Sequence, residues 1–141
     1  MRSFMLRLLI VPIAAVAFGC SGDINKIPTT PDPVIVTETF TGTLNINGAA
    51  THFVFTGATG TVTATMVSLG EAETAPAKVG FSMGTLGSSS VCTVVLTNDN
   101  SVVNSSLIGT VSTLAGSLCV RIYDVGALKG PVDYTITVSH P

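Results

Sequence analysis

Hydrophobic and polar residues alternate along most of the chain beyond residue 33. The clearest run lies near the C-terminus, where Val132, Tyr134, Ile136 and Val138 are separated by aspartate and threonine. An alternation of period two is typical of a β-strand with one buried and one exposed face. Comparable runs, bounded by glycine, asparagine or proline, occur at residues 40–46, 53–55, 62–66, 79–83, 91–97, 107–111 and 118–123. No stretch has the period of an amphipathic helix, so we predict about eight antiparallel strands.

Strands that are apolar on one face bury that face either by stacking two sheets or by closing one sheet on itself. We therefore predict an all-β fold over residues 34–141, an antiparallel β-sandwich of the jelly-roll or Greek-key type. A small closed β-barrel is the alternative, because alternation alone does not distinguish the two architectures. Tight turns are expected at residues 47–48 and 98–100, and a longer loop at residues 69–77.

The N-terminal segment has a different pattern. Arg2 and Arg7 precede an apolar run over residues 8–18, and Ala17-Phe18-Gly19-Cys20 resembles a lipobox. We predict that residues 1–19 are a lipoprotein signal peptide and that Cys20 carries the lipid. Cleavage before Phe18 by ordinary signal peptidase, which releases a soluble product, is the alternative. The apolar run is shorter than the roughly 20 residues that span a bilayer, which argues against an uncleaved anchor.

Residues 20–33 are rich in proline and lack an apolar period, so we predict a flexible tether between lipid and domain. Ser21 follows Cys20, at the position where aspartate is the familiar signal for retention at the inner membrane. We therefore expect lipid anchoring in a bacterial cell envelope, at the outer membrane. A secreted or periplasmic soluble protein is the alternative.

Charge narrows the possible partners. Only 10% of residues are charged and the net charge is −2, which becomes more negative when Arg2 and Arg7 leave with the signal peptide. Nucleic acids and anionic lipids need clustered lysine and arginine to displace their counterions. We therefore predict no nucleic-acid partner, and contact with the membrane only through the lipid on Cys20. Nothing in the sequence calls for a cofactor.

Two cysteines remain if Cys20 is lipidated. In an oxidising compartment Cys92 and Cys119 form a natural pair, and we predict a disulfide between them. Two reduced, separately buried thiols are the alternative. Neither cysteine has a second cysteine or histidine within three or four positions, so no metal site is predicted.

Candidate catalytic residues are few, because the chain has only two histidines. His52 is expected to point outward from its strand, and His140 to fray at the C-terminus. Glu71 and Glu73 fall in a polar loop, where paired carboxylates are usually solvated. No serine or cysteine has a base in a recognisable motif, so we do not expect an enzyme.

Candidate binding residues lie near the end of the strand at residues 118–123. Arg121 and Tyr123 are two positions apart and so share a face, and Asp124 follows at the strand's end. Exposed tyrosine beside arginine is common in recognition surfaces. The alternative is structural: Arg121 pairs with Asp124 or Asp133, and Tyr123 covers a sheet edge.

The order of several short motifs resembles the bacterial pre-peptidase C-terminal (PPC) domain over roughly residues 38–140. The motifs, in order, are Phe40-Thr41-Gly42-Thr43-Leu44, His52-Phe53-Val54-Phe55, Gly60-Thr61-Val62-Thr63-Ala64, residues 115–124 (AGSLCVRIYD) and Tyr134-Thr135-Ile136-Thr137-Val138. These domains are β-sandwiches appended to secreted proteases and other exported enzymes. The resemblance implies an accessory or binding module and not a catalyst.

Two functional hypotheses follow. The first is a lipid-anchored binding or adhesion module for an extracytoplasmic protein or polysaccharide. The second is a structural or stabilising subunit of an envelope protein complex. An aromatic-lined sheet face favours the first hypothesis, whereas a flat apolar patch or an open edge strand favours the second.

Overall fold

The computed structural model describes residues 31–70, 78–87, 90–113 and 115–141. Eight strands cover most of them: β1 (Val36–Leu44), β2 (Ala49–Thr56), β3 (Gly60–Leu69), β4 (Val79–Leu86), β5 (Cys92–Ser101), β6 (Ser106–Val111), β7 (Gly116–Tyr123) and β8 (Val132–His140). These ranges contain no helix, which confirms the all-β prediction. The predicted signal peptide, most of the predicted tether and residues 71–77 of the predicted loop lie outside the described residues.

The strands form two four-stranded sheets. One has the order β1-β8-β3-β6 and is called the β1 sheet, and the other has the order β2-β7-β4-β5 and is called the β2 sheet. The first strand pairs with the last, the second with the seventh, the third with the sixth and the fourth with the fifth, all antiparallel. This nested pairing is that of one long ribbon rolled over on itself, which is the jelly-roll form of a β-sandwich. The described strands therefore make a sandwich and not a closed barrel.

The core lies between the sheets and is built by alternate residues of each strand. In β8, for example, Val132, Tyr134, Ile136 and Val138 are buried, as the alternation predicts. The largest fully buried side chains from both sheets are Phe81, Leu44, Met66, Leu69, Ile122 and Ile136. Burying each such side chain contributes about 1.5 to 3 kcal/mol relative to leaving it exposed.

The outer face of the β1 sheet is mostly threonine and serine, with Asp133 of β8 and Ile108 of β6 among them. The register sets Thr39 of β1 opposite Thr137 of β8, and Thr137 opposite Thr65 of β3. Thr65 in turn bonds Ser106 of β6 through their hydroxyls at 2.8 Å. These β-branched residues suit an exposed pleated surface. We call this surface the threonine face.

One predicted turn is present and another is wrong. Asn47 adopts a φ of 54°, and the Gly48 amide donates to the Asn45 carbonyl at 2.9 Å, which closes the expected turn. Residues 98–100, however, belong to β5, and the chain turns at residues 102–105 instead. The Asn98 side chain accepts a hydrogen bond from the Asn100 amide at 3.0 Å, within a register shift opposite residues 79–81. The turn-forming residues therefore make a β-bulge.

The predicted disulfide joins Cys92, at the start of β5, to Cys119 of β7, with a Cα–Cα distance of 5.8 Å. These strands are not neighbours, because β4 lies between them. Gly84 of β4 pairs with Cys119, and a Cβ there would overlap the backbone carbonyl of Thr93. Because Gly84 has no side chain, β5 approaches β4 closely there, and the disulfide reaches across β4 from β5 to β7.

Candidate binding surface

The outer face of the β2 sheet carries two of the predicted binding residues. In β7, Leu118, Val120 and Ile122 are buried in the core, so the alternate residues point outward. Arg121 is exposed and Tyr123 is half-buried. Arg121 lies between Thr51 of β2 and Ser82 of β4 in the register. The predicted pair therefore shares the outer face, near the middle of the sheet.

Tyr123 is fixed across three strands. Its register partner on β4 is Gly80, and a Cβ at that glycine would overlap the tyrosine ring. The ring thus occupies space that any other residue at position 80 would fill. The Tyr123 hydroxyl reaches β5, where it donates to the Asp99 carboxylate and bonds the Thr97 hydroxyl at 2.9 Å. Burial and the hydrogen bond to Asp99 both raise the pKa of Tyr123, which favours the protonated hydroxyl.

Arg121 contacts this fixed ring. Its guanidinium carbon lies 5.4 Å from the centroid of Tyr123, within the range of a cation–π interaction. Among the described residues, no carboxylate oxygen lies within 4.0 Å of the guanidinium. Asp133, which the sequence offered as a partner, lies on β8 and accepts a hydrogen bond from Thr43 at 2.6 Å. The N–H donors of the exposed guanidinium are therefore not paired with a described carboxylate, and the group packs on the Tyr123 ring.

Asp124, the third candidate, serves the adjoining loop. Its Oδ1 accepts backbone hydrogen bonds from Gly126 at 2.8 Å, Ala127 at 2.9 Å and Leu128 at 3.1 Å. Its Oδ2 accepts from the Asn47 amide at 2.9 Å. The Asn47 amide contributes most to lowering the pKa of Asp124, and the other amides add to this against a smaller opposing effect of desolvation. The carboxylate thus ties the loop after β7 to the turn before β2.

Two aromatic residues that the sequence analysis did not single out join the same face. Phe53 is 45% exposed and Phe55 is 67% exposed, and both point outward from β2. Phe53 pairs with Cys119, so it lies beside the disulfide, and Phe55 pairs with Ser117. We call the set Phe53, Phe55, Arg121 and Tyr123 the aromatic face.

His52 was predicted to point outward, and this is wrong. Its ring stacks on Phe40 at a centroid distance of 4.7 Å and bonds the buried Tyr134 hydroxyl at 2.9 Å. Burial lowers the pKa of His52, which favours the neutral imidazole. Because His52 points into the core, Phe53 and Phe55, at the alternate positions of β2, face outward.

The prediction that His140 frays is also wrong. His140 is the last residue of β8 and is buried, and its Nε2 lies 2.9 Å from a Glu38 carboxylate oxygen. The next residue is held as well, because the Gly57 amide donates to the Pro141 carbonyl at 3.2 Å. The pairing of β1 with β8 starts at this histidine, which explains why the C-terminus is ordered.

Ser82 is the buried polar residue of this region. It is 2% exposed on β4, between Arg121 and Thr97 in the register, and its hydroxyl has no hydrogen-bond partner within the part of the chain that the structure describes. Its neighbours along the outer side of β4 are Gly80 and Gly84. Glycines have no side chain to cover Ser82, and its register partners on the flanking strands are Arg121 and Thr97.

No protein-family model matches the chain, and no curated protein matches it either. The resemblance to the PPC domain therefore stays a prediction. In the ranges that the structure describes, no helix is both long and apolar enough to cross a membrane. Across the same ranges, no three histidine, cysteine, aspartate or glutamate side chains form a group that could hold a metal ion. Cys20 lies outside the described residues.

Proposed function

We propose that this protein is a lipid-anchored, non-catalytic binding module of a bacterial cell envelope, and that its aromatic face recognises an extracytoplasmic protein. The observation that carries the proposal is the Arg121–Tyr123 pair. Its ring is pinned by Thr97 and Asp99, and its guanidinium has no carboxylate partner among the described residues. Such a pre-formed pair loses little conformational entropy when a partner binds.

A protein is favoured over a polysaccharide by the chemistry of this face. Phe53 and Phe55 offer apolar area and no hydrogen bonds, whereas sugars need polar contacts beside aromatic rings. The Tyr123 hydroxyl is already engaged by Asp99 and Thr97, and the other tyrosine is buried. Exposed aromatic residues beside arginine match the composition of binding hot spots in protein interfaces.

The predicted lipid anchor is tested by the mass of the protein purified from membranes, with peptide mapping across Cys20. A diacylglyceryl group on an N-terminal Cys20 is the expected result. A product that begins at Phe18 and carries no lipid would show that the protein is released as a soluble protein and is not anchored. Peptide mapping without reduction reports the Cys92–Cys119 crosslink in the same experiment.

The binding surface is tested by photo-crosslinking in living cells. Thr51 is exposed and pairs with Arg121, so a photo-reactive amino acid at this position samples the aromatic face. Thr39 on the threonine face is the matched control, since it is equally an exposed strand threonine. We expect a discrete light-dependent adduct from position 51, lost in R121Q, and none from position 39. Equal adducts from both positions, or an adduct that survives R121Q, would contradict the proposal.

A structural or stabilising subunit of an envelope complex is the second candidate. The specific observation in its favour is the edge strand β2, which pairs with β7 without a register shift, contains no acidic residue, lysine or arginine, and carries two exposed phenylalanines. On this view, loss of the protein lowers the abundance of its partner proteins. Deletion of the gene followed by quantification of envelope proteins separates the two functions, because a binding module leaves these abundances unchanged.

A further inference from the structure

Arg121 is the only arginine or lysine in the four strands of the β2 sheet. The one acidic residue in these strands is Asp99 of β5. Asp99 accepts a hydrogen bond from the Tyr123 hydroxyl, and within the described ranges no carboxylate oxygen lies within 4.0 Å of the Arg121 guanidinium. The exposed guanidinium therefore has the charge and the donors to hold an anion that the strands of this sheet do not supply.

The hydroxyl of Ser82 is a second unpaired group at the same place. Ser82 points outward from β4, and the register sets Arg121 on one side of it and Thr97 on the other. Residues directly opposite each other in neighbouring strands have Cβ atoms about 4.5 to 5.5 Å apart. The Ser82 oxygen is buried and makes no hydrogen bond to any described residue, whereas the Thr97 hydroxyl is bonded to that of Tyr123 at 2.9 Å. A buried hydroxyl without a partner is costly, so native proteins retain few of them.

A carboxylate is the group that satisfies both residues. Arginine only donates hydrogen bonds, so Arg121 cannot accept the proton of the Ser82 hydroxyl. A carboxylate has two oxygens and can accept from a guanidinium and from a hydroxyl at once. Because Ser82 is 2% exposed, a carboxylate reaches it together with a shift of the exposed Arg121 side chain. We propose that Arg121 and Ser82 form the recognition site for an aspartate or glutamate side chain of the protein partner.

A neighbouring aromatic residue favours an acidic side chain of a protein over a free carboxylic acid. Phe53 pairs with Cys119, so it is the diagonal neighbour of Arg121 on the outer face. Residues in this relation are about 7 to 8 Å apart. Phe53 is 45% exposed, which offers an apolar contact beside the charge. A peptide can place an acidic and an apolar side chain at this spacing, whereas a small acid fills only the charged half.

This inference rests on the proposed function, since it names what the partner contributes to the same face, and carbodiimide crosslinking tests the two separately. A water-soluble carbodiimide activates a carboxylate, and a lysine amine in contact with it then forms an amide as a urea leaves. The variant Thr51→Lys places an amine opposite Arg121 and leaves Arg121 and Ser82 intact. Thr39→Lys on the threonine face is the matched control. In envelope fractions we expect an amide from position 51 to an aspartate or glutamate of another protein. It should be lost when R121Q is added to Thr51→Lys, and position 39 should form no amide to another protein.

Three results would overturn the inference. A photo-reactive residue at position 51 that crosslinks a protein, while carbodiimide does not, would show that the face binds a protein without a carboxylate, and only the proposed function would stand. If neither reagent gives an adduct, both proposals fail. An amide from position 51 to an acidic residue of the same chain would show that the chain's own carboxylate occupies Arg121.

The variant Ser82→Ala tests the second half of the site. Removal of a hydroxyl that has no partner should leave the denaturant midpoint of unfolding unchanged or raise it. The same change removes a hydrogen bond to the partner's carboxylate, so saturation binding to envelope fractions should weaken roughly tenfold. A serine with only a structural role would leave binding unchanged. Binding of Ser82→Ala equal to that of the wild type would therefore overturn the assignment of Ser82 to the site.

Discussion

The Tyr134 hydroxyl lies 2.9 Å from Nε2 of His52, and this hydrogen bond joins the two sheets of the sandwich. Tyr134 belongs to β8 in the β1 sheet, and His52 belongs to β2 in the other. The two rings also meet edge to face at a centroid distance of 5.8 Å. His52, which alternation predicted to face outward, is thus an internal contact between the sheets. Because it points inward, Phe53 and Phe55 of β2 face outward.

The first prediction concerns pH. Because burial lowers the pKa of His52 below 6.5, the unfolded chain binds its proton at a higher pH than the folded chain does. The contribution of His52 to the free energy of unfolding is therefore present above pH 6.5 and is lost as pH falls towards the folded-state pKa. Denaturant unfolding of the wild type and His52→Gln across this window measures it. The difference between them should shrink on acidification, and curves that stay parallel would contradict the assignment.

The second prediction concerns Gly80. A Cβ at this position overlaps the Tyr123 ring, so Gly80→Ala should displace the ring or strain the sheet. We expect a loss of about 1 to 3 kcal/mol in the free energy of unfolding, as for other overpacked sites. Gly57→Ala is the matched control, since nothing lies within 4 Å of a Cβ there. If both glycine variants unfold at the same denaturant concentration, the ring does not lie where the structure has it.

The third prediction concerns the disulfide. Cys92 and Cys119 are 27 positions apart, and closing a loop of that size restricts the unfolded chain. Replacing both cysteines with alanine should lower the free energy of unfolding by about 3 to 4 kcal/mol on the entropy model. Reduction of the wild type should give a similar loss, measured by denaturant unfolding with and without reductant. Unchanged stability in both experiments would mean that the bond does not form in the purified protein.

The fourth prediction concerns Asp124. Four backbone amides hold its carboxylate, led by that of Asn47, and they lower its pKa below 3.8. A lowered carboxyl pKa stabilises the fold above pH 3.8, and this stability is lost as pH falls through the folded-state pKa. Asp124→Ala should therefore have a lower Tm at neutral pH, and its deficit relative to the wild type should shrink in acid. A deficit that is constant with pH would indicate lost packing and not lost charge.

Much of the fold was predictable because its local signals agree. Alternating apolar residues fix the strands, as in β8, and the prediction of an oxidising compartment leaves Cys92 and Cys119 as the pair that forms a disulfide. The same period places Arg121 and Tyr123 on one face. These features follow from local sequence patterns, and all of them are present in the structure.

The errors arose where local patterns conflict or long-range contacts decide. In β2, Thr51-His52-Phe53-Val54-Phe55 is apolar on both faces, so alternation cannot choose which side faces the core. Contacts with Tyr134 and Phe40, which are distant in sequence, place the His52 ring in the core and so decide which side of β2 faces inward. Likewise Asn98 and its neighbours favour a turn, but pairing with β4 turns them into a bulge. The approach of Tyr123 to Gly80 has no sequence signal at all.

Saturation binding tests the central claim most directly. Labelled protein from Ser21 onward, which carries no lipid and cannot insert into membranes through an anchor, is added to envelope fractions from a strain that lacks the protein, and the wild-type sequence, R121Q and Thr39→Ala are compared. If the aromatic face recognises a protein, wild-type binding saturates and is abolished by protease treatment of the fractions. R121Q should then bind roughly tenfold to a hundredfold more weakly, while Thr39→Ala matches the wild type. Binding that never saturates, or that R121Q leaves unchanged, would contradict the account.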